Sequence, residues 1–538
     1  MHLSLFVKTG IFPSPEVRAS FFQNTNQDRS ESCIAVNPID NSNLIGASKL
    51  FTDPHKYKFV VAAIYSTDGG STWHNSAPLQ LLSGWEGLSD PAIAFDKGGT
   101  AYLFTEPLNY NYASDPDFDP SISDDIVTTH MVIYKSTNLG ASWGAPVVID
   151  SNPGNLSSFD KLWLAIDQNN SNIYASWGYG NMQFARSTNG GTSWKGVGNQ
   201  SIKNSISSGA APEINVGTNG YIHIVSHAQG TNNIRYLRSK NSGSSFESEK
   251  LIAVGLTDID SGIPSTSGFR SYPNASFRVL TLSTACSVPN QSKIAVAWAD
   301  YRENVTRIYY TLSDDNGDTW PVHSGIPLLP AFSSSERFHD FHPQIIATGN
   351  GVIGCSFYRY YESSALIDVM FTASFDGGQS FWFPEAINKN PWNPAINAPW
   401  SHGHSNKTFI GDYFGLDADE ENFHVLWTNT KDGVQELYYN AVRTHKYDPP
   451  RYLDGIFAEI FGGVASDGGG WIIVGGKLIK IPPREPLLDV LHAIAAYDSV
   501  QNIGSISAIR FQKSMLSTIS GIANKANKQL AGGKKLSR

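Results

Sequence analysis

Ser66–Trp73 reads STDGGSTW, and the phrase returns five more times along the chain. It recurs as STNLGASW from Ser136, STNGGTSW from Ser187, SKNSGSSF from Ser239, SDDNGDTW from Ser313 and SFDGGQSF from Ser374. Every copy has Ser, then Asp or Asn two residues on, Gly two further, then Ser or Thr and an aromatic. The starts lie 70, 51, 52, 74 and 61 residues apart. Periods of that length fit one four-stranded sheet per repeat and point to a propeller. The residues ahead of each box agree: PAIAFDKGG from Pro91, TAYLFTE from Thr100 and MVIYKS from Met131 alternate with period two and are cut by Gly and Asn.

The first-strand phrase can be followed around the chain. It reads SCIAVNP near Cys33, PAIAFD near Ile93, LWLAID near Leu164, PEINVG near Ile214, PNASFRV near Ala275, PQIIAT near Ile345 and DYFGLDA near Phe414. Seven starts stand against six boxes. The seventh unit, GDYFGLDADEENFHVLWTNTKDGVQELYYNAV, offers three strands, so its outer strand is expected from HLSLFVK or EVRASFF near the N-terminus. Closing the ring in this way removes exposed sheet edges. The expectation is an all-β propeller, seven blades preferred to six. Residues 1–30 form the closing segment, 31–443 the propeller, and 444–538 a small α+β appendage. In the appendage FGGVASDGGGWIIVGGKLIKIPP reads as a Gly-rich hairpin, PLLDVLHAIAAYDSV from Pro486 as a helix, and IRFQKSMLSTISGIANKANKQL as a weaker one.

Composition suits this class. Of 538 residues 41% are hydrophobic and 12% aromatic, enough for a large core, while charged residues are only 16%. A net charge of −9 without a long basic run argues against nucleic acid as partner. Cys33, Cys286 and Cys355 lie far apart, which excludes a thiolate zinc site and gives no disulfide framework. MHLSLFVKTGIFPSP lacks the features of a signal peptide, and no stretch reaches the roughly 18 apolar residues of a membrane span. The expectation is a soluble protein, cytoplasmic or exported by a non-classical route.

The box resembles the Asp-box, or BNR repeat, of the sialidase superfamily, over roughly residues 30–443. Physically, Asp68, Asn138, Asn189, Asn241, Asp315 and Asp376 are placed to accept from backbone N–H groups of their own turn, with Gly at positive φ. The closing aromatic then tucks between sheets. The resemblance implies a hairpin at the blade periphery, away from any active site, so these six residues are architecture.

Chemistry is expected where the inner strands begin, at one mouth of the channel. Those positions are Glu31, Asp90, Asp160, Glu213, Asn274, His342 and Asp412. Carboxylates converging on an axis repel unless a cation, an arginine or protons intervene. Glu31, Asp160 and Glu213 are therefore candidate metal ligands, and Asp90 and Asp412 candidate catalytic acids. The resemblance implies three arginines on a substrate carboxylate, a Tyr–Glu pair and an Asp as acid/base. Arg29 and Arg270 are candidate binders, although the F/Y-R-I-P motif is absent at Arg29, where the chain reads DRSESCIAV. WADYR supplies Asp300 and Arg302, and FYRYYES supplies Arg359, Tyr361 and Glu362 as further catalytic candidates; an Asp–Arg lock between strands is the structural alternative. RFHDFHP and SHGHSNK add His342 and His404 as candidate binders. DPDFDPSISDD places Asp115, Asp117 and Asp119 like the start of a calcium loop, with Pro120 where Gly is needed and Ile126 where Glu is needed.

No cofactor is required by this pattern; calcium is the candidate ion. The function expected is a sialidase-like, glycan-active protein, a candidate glycoside hydrolase of exo-sialidase type whose catalytic motif is incomplete. The alternatives are a non-catalytic lectin or adhesin, or a structural or cargo protein docked to a protein partner through residues 445–538.

Overall fold

The computed structural model describes residues 10–21, 27–110, 126–128, 130–151, 160–202, 205–228, 231–263, 270–329, 336–401, 405–445, 460–464, 470–474 and 477–481. Asp115, Asp117, Asp119, His402, His404 and both expected C-terminal helices lie outside them. The chain divides into two compact units, Pro13–Arg443 and Met1–Phe12 with Thr444–Arg538. In the second, Ile460–Val464, Gly470–Val474 and Lys477–Ile481 form an antiparallel meander. The hairpin expected there has a third strand.

The larger unit is all-β; among the described residues its helical content is one turn, Ile259–Gly262, a 3-10 turn, Val197–Asn199, and 3-10 backbone at Ser401. Its strands form successive antiparallel meanders. The first is Arg29–Val36, Leu44–Asp53, Lys58–Ser66 and His74–Asn75. The innermost strands of the meanders follow in order: Arg29–Val36, Gly87–Phe95, Trp163–Ile166, Ser207–Val216, Ser283–Ser287, Phe338–Ala347 and Gly415–Ala418. Each contacts the next, and the last returns to the first, so the unit is a closed β-propeller. The meanders containing Trp163–Ile166 and Ser207–Val216 are further joined by pairing of Tyr179–Ser187 with Ser207–Val216.

Six of the seven expected inner strands fall where the sequence puts them. The fifth does not. PNASFRV is loop, and the strand is Ser283–Ser287, paired with Ile294–Asp300. The chain between Arg270 and Leu282 carries enough alternation to imitate a strand but instead covers the mouth, through Ser276 and Arg278.

The last meander, Gly415–Ala418, Asn422–Asn429 and Glu436–His445, receives its outer strand from the other end of the chain. Val17 and Arg18 pair with Tyr439 and Tyr438. Ser14 N–H donates to Ala441 O at 2.7 Å and Ala19 N–H to Leu437 O at 2.8 Å. These residues belong to EVRASFF and the segment just before it; HLSLFVK lies outside the described residues.

All six boxes join the third strand of a meander to its outer strand or edge, and all make one turn. In the first, Thr72 N–H donates to Asp68 Oδ1 at 2.8 Å, Ser66 Oγ–H donates to the same oxygen at 2.8 Å, and Gly70 N–H donates to Ser66 Oγ at 2.9 Å. Asn138, Asn189, Asn241, Asp315 and Asp376 accept from the corresponding backbone N–H groups. In five of the six boxes the glycine four residues after the serine has a second duty. A Cβ there would strike the preceding meander: Tyr439 from Gly70, Ile45 from Gly140, Phe184 from Gly243, Tyr236 from Gly317 and Leu312 from Gly378. The box is therefore a spacer-free contact between blades as well as a turn.

That geometry separates two costs of adding a methyl group. Gly69 has φ +71° and open space around its missing Cβ, whereas at Gly317 (φ +86°) a Cβ would lie 1.9 Å from Tyr236 Oη. Gly69→Ala is expected to cost about 1 kcal/mol from backbone strain alone. Gly317→Ala adds displacement of a buried ring and is expected to cost about 3 kcal/mol in urea unfolding; equal losses would show that the contact between meanders contributes nothing.

Candidate active site

Four inner strands carry a bulge near their start. The register shifts between Ser30 and Cys33, Ser89 and Ala92, Ala210 and Glu213, and Phe341 and Gln344. One residue in each takes positive φ: Glu31 (53°), Asp90 (46°), Ala211 (50°) and His342 (47°). Lys161 (51°) and Gly411 (95°) stand just ahead of two further inner strands. A bulge re-aims one side chain and ends the pairing, and positive φ in a non-glycine residue is uncommon. Its recurrence shows a device of the fold that turns side chains inward at the mouth. Proline follows in three cases, as Pro91, Pro212 and Pro343, so no amide N–H is stranded there.

Four of the seven expected mouth residues meet. Glu31, Asp90, Asp160 and Asp412 converge with Glu106, and three cations run between them. Lys49 pairs with Glu31 and, at 2.8 Å, with Asp90. Lys161 donates to Asp412 at 2.6 Å and stands 3.7 Å from Glu31, Asp90 and Asp160. Arg278 grips Asp412 in bidentate fashion at 3.0 and 2.6 Å. Phe409 lies under both Lys49 and Arg278. Carboxylate oxygens of Asp90, Glu106 and Asp160 all lie within 4.8 Å of one another.

The loops that cover this face deliver Arg278. Thr408 N–H donates to Ser276 O at 2.8 Å, and their hydroxyls are 2.7 Å apart, so the segment before Ser283 is tied to the one before Gly415. Most of the cluster is sealed: Glu31, Asp90, Glu106 and Asp412 are buried. Asp160 and Arg278 are the members that reach solvent, with side chains 38% and 25% exposed.

Burial and charge push these carboxyls apart. Burial raises Glu31 to about 7, helped by Asp90 and opposed by Lys49 and Lys161. Burial, with Asp90 and Asp160 as like charges, lifts Glu106 well above the usual carboxylate range. Asp160 is also raised, burial outweighing Lys161. At Asp90 and Asp412 burial acts upward too, but Lys49 and Lys161 at the former, and Arg278 and Lys161 at the latter, hold the carboxyl below its ordinary value. His342 is buried, its ring nitrogens have no hydrogen-bond partner among the described residues, and burial lowers it to about 4.

Other expected residues lie elsewhere in contacts of their own. Glu213 stands two residues past its bulge; its Oε1 accepts from Ala285 N–H at 2.9 Å and Thr284 Oγ1–H at 3.1 Å, which locks two inner strands rather than facing the mouth cluster. Asn274 is exposed in a loop and donates to Glu362 O. Asp300 and Arg302 pair within one turn, with Arg302 stacked on Tyr309. Arg359 and Asp340, opposite each other on paired strands, form the cross-strand lock at 2.7 and 3.0 Å. Tyr361 Oη–H donates to Asp368, and Glu362 accepts from Arg337 at 2.6 Å and bonds His339 at 2.8 Å. Arg29 is buried against Glu436, and Arg270 O accepts from Val279 N–H across the covering loop. None of these ion pairs reaches the lysine-centred cluster among the described residues. Among the described residues, the arginine triad and Tyr–Glu pair implied by the resemblance are not assembled at it.

Lys49, Lys161, Glu106 and Arg278 were not singled out from sequence. Lys49 and Glu106 sit on second strands, where alternation predicts a side-chain face but not its partner. Arg278 arrives from a loop that the sequence disguises as a strand. Lys161 was legible in principle, being the first residue after Asp160 and at the position of the bulge.

No protein-family model matches this chain, and no curated protein matches it. Solved structures give fold likenesses at low identity. A protein of unknown function from Dyadobacter fermentans DSM 18053 is 12% identical at TM-score 0.44, covering 81% of this chain and all of that one. The Hadza microbial sialidase Hz136 is 15% identical at 0.42, covering 64% and 65%. Trypanosoma rangeli sialidase in complex with sialic acid is 14% identical at 0.42, covering 80% of this chain and 58% of that one. None of these likenesses assigns a role to a residue.

Lys161→Met removes the cation shared by four carboxylates and is expected to cost about 3–5 kcal/mol in urea unfolding, part of which Asp90→Asn in the same chain should restore. Glu213, raised by burial to about 8 from an ordinary 4.5, keeps its proton in the folded state across that interval while the unfolded chain loses it. Its contribution to stability is therefore full below about 4.5 and is lost as pH rises through about 8. Glu213→Gln should flatten the fall of Tm between pH 5 and 8; an unchanged slope would show that Glu213 does not titrate there.

Proposed function

We propose that this chain is a glycoside-hydrolase-like propeller that cleaves a glycan at the mouth lined by Asp160 and Arg278. One observation carries the reading: carboxylate oxygens of Asp90 and Asp160 lie within 4.8 Å of each other, with Asp160 partly open to solvent. Retaining glycosidases separate their two carboxyl groups by roughly 5–5.5 Å. In this reading Asp160 protonates the leaving oxygen and Asp90, held ionised by Lys49 and Lys161, is its charged partner. Arg278, fixed by Asp412, donates to sugar hydroxyls at the rim. Each of the three cations already faces a carboxylate, which does not favour a sialoside; neutral glycans are the substrate class this charge balance fits.

The burial of Asp90 favours one alternative, a lectin that holds a sugar against Asp160 and Arg278 without cleaving it. Purified full-length chain assayed on a panel of neutral and acidic oligosaccharides separates the two. Turnover is expected, with kcat/KM falling about 10²–10⁴-fold in Asp160→Asn while the variant's Tm stays within a few degrees. Saturable retention without turnover would establish the lectin; neither would end the glycan reading.

A further inference from the structure

The mouth cluster does not balance its own charge. Fully ionised, the five carboxylates Glu31, Asp90, Glu106, Asp160 and Asp412 face three cations, Lys49, Lys161 and Arg278, a deficit of two positive charges that protons on the raised carboxyls or a bound cation must meet. The deficit is not spread evenly. Lys161 spends its short bond on Asp412, and Arg278 spends both of its bonds there. Lys49 lies between Glu31 and Asp90. From the cations, Asp90, Glu106 and Asp160 receive one contact at 2.8 Å, from Lys49, and two at 3.7 Å, from Lys161; Asp90 Oδ1 also accepts from Ser89 Oγ–H and Asp160 Oδ1 from Lys161 N–H, each at 2.8 Å.

A second observation lies inside that trio. Glu106 is only 4% exposed, and its Oε2 makes no hydrogen bond among the described residues; Asp90 Oδ2 makes none either. A buried carboxylate oxygen without a donor is costly, and a shared cation is one of the few ways to satisfy several at once. We propose that Asp90, Glu106 and Asp160 hold one divalent cation of calcium's class, reached from solvent past Asp160.

The charge is the missing one, since a single divalent ion cancels the deficit of two. The donors are all carboxylate oxygens, the set preferred by hard cations. Size and coordination preference separate calcium from magnesium. Oxygens on opposite sides of a calcium ion, at about 2.3–2.6 Å each, stand about 4.6–5.2 Å apart, whereas magnesium at about 2.0–2.1 Å brings them to about 4.2 Å or less. Oxygens within 4.8 Å of one another lie inside calcium's span, and calcium's flexible geometry suits ligands fixed by the fold, whereas magnesium demands a near-ideal octahedron and keeps its waters. Three protein ligands leave the remaining positions for water or for sugar hydroxyls at the exposed side. The ion would also occupy the oxygens that acid catalysis by Asp160 needs, so cation-loaded and catalytically competent mouths are alternatives. The site itself does not require that any glycan be cleaved.

Isothermal titration of the metal-stripped full-length chain with calcium chloride tests this, with magnesium chloride as comparison. The expected result is one equivalent of calcium, bound at least tenfold more tightly than magnesium. Glu106→Gln should weaken calcium at least tenfold, and so should Asp160→Asn, whose partly exposed side chain keeps folding out of question. Glu213→Gln, outside the cluster, should bind as the parent does. Absence of a calcium site at millimolar concentration, or affinity unchanged in both Glu106→Gln and Asp160→Asn, would overturn the site. Equal affinity for magnesium would overturn the class of ion. Because the readout is heat of binding, a glycan panel without turnover leaves this result standing, and a failed titration leaves the hydrolase reading to its own assay.

Discussion

The structure depends on close contact between neighbouring meanders, and in five of the six boxes the glycine four residues after the serine sets that distance. Tyr439, Ile45, Phe184, Tyr236 and Leu312 each fill the space where a Cβ would project. A side chain at any of these positions must push a ring or branched side chain aside, because interiors packed at crystal-like density have little room to give. Tyrosines reinforce the contact with hydrogen bonds: Tyr310 donates to Gly378 O at 3.0 Å, and Tyr236 and Tyr439 reach box carbonyls in the same way. In two meanders a buried His braces the Tyr, through His223 and His424, each 2.7 Å from the phenol oxygen. The last meander has no box, and there the N-terminal segment completes the ring.

Tight packing at the rim fixes the inner strands, and their bulges set the mouth. Glu31, Asp90 and His342 are turned inward by the same backbone kink in three different meanders. The result is a set of side chains that no local sequence could bring together: Glu31 and Asp412 are 381 positions apart, yet Asp412 N–H lies 3.3 Å from Glu31 Oε1. Such a cluster is stable only because lysines and an arginine are interleaved with the acids. Removing water from the same groups is what drives some carboxyls up and lets others be held down. That contrast sets the mouth cluster apart from the Asp300–Arg302 and Asp340–Arg359 pairs, which lie outside it.

The sequence was a good guide wherever one rule was repeated. Six boxes and seven inner-strand phrases are redundant signals, so a single misplaced strand, at Ala275, leaves the ring unaffected. Single signals fared differently. Arg302 and Arg359 read as catalytic candidates because they stand beside acids, but each is satisfied by an acid one turn or one strand away. Glu213 reads like Asp90 in its Pro-flanked setting, yet it falls two residues beyond the bulge and faces a neighbouring strand instead. Register at a bulge is a matter of one residue, and a shift of one moves a side chain to the other face.

What the sequence determined by itself was the architecture: period-two alternation, turns that need Gly at positive φ, and a repeat long enough for a sheet. These are local requirements, and local residues meet them. Tertiary structure alone decided which charged residues meet. Lys49, Glu106, Lys161 and Arg278 come from second strands, a strand entrance and a covering loop, and nothing in their neighbours along the chain names their partners. Ion pairing acts through space over a few ångströms in a dry interior, so it becomes readable only once the ring has closed and brought residues hundreds of positions apart to one mouth.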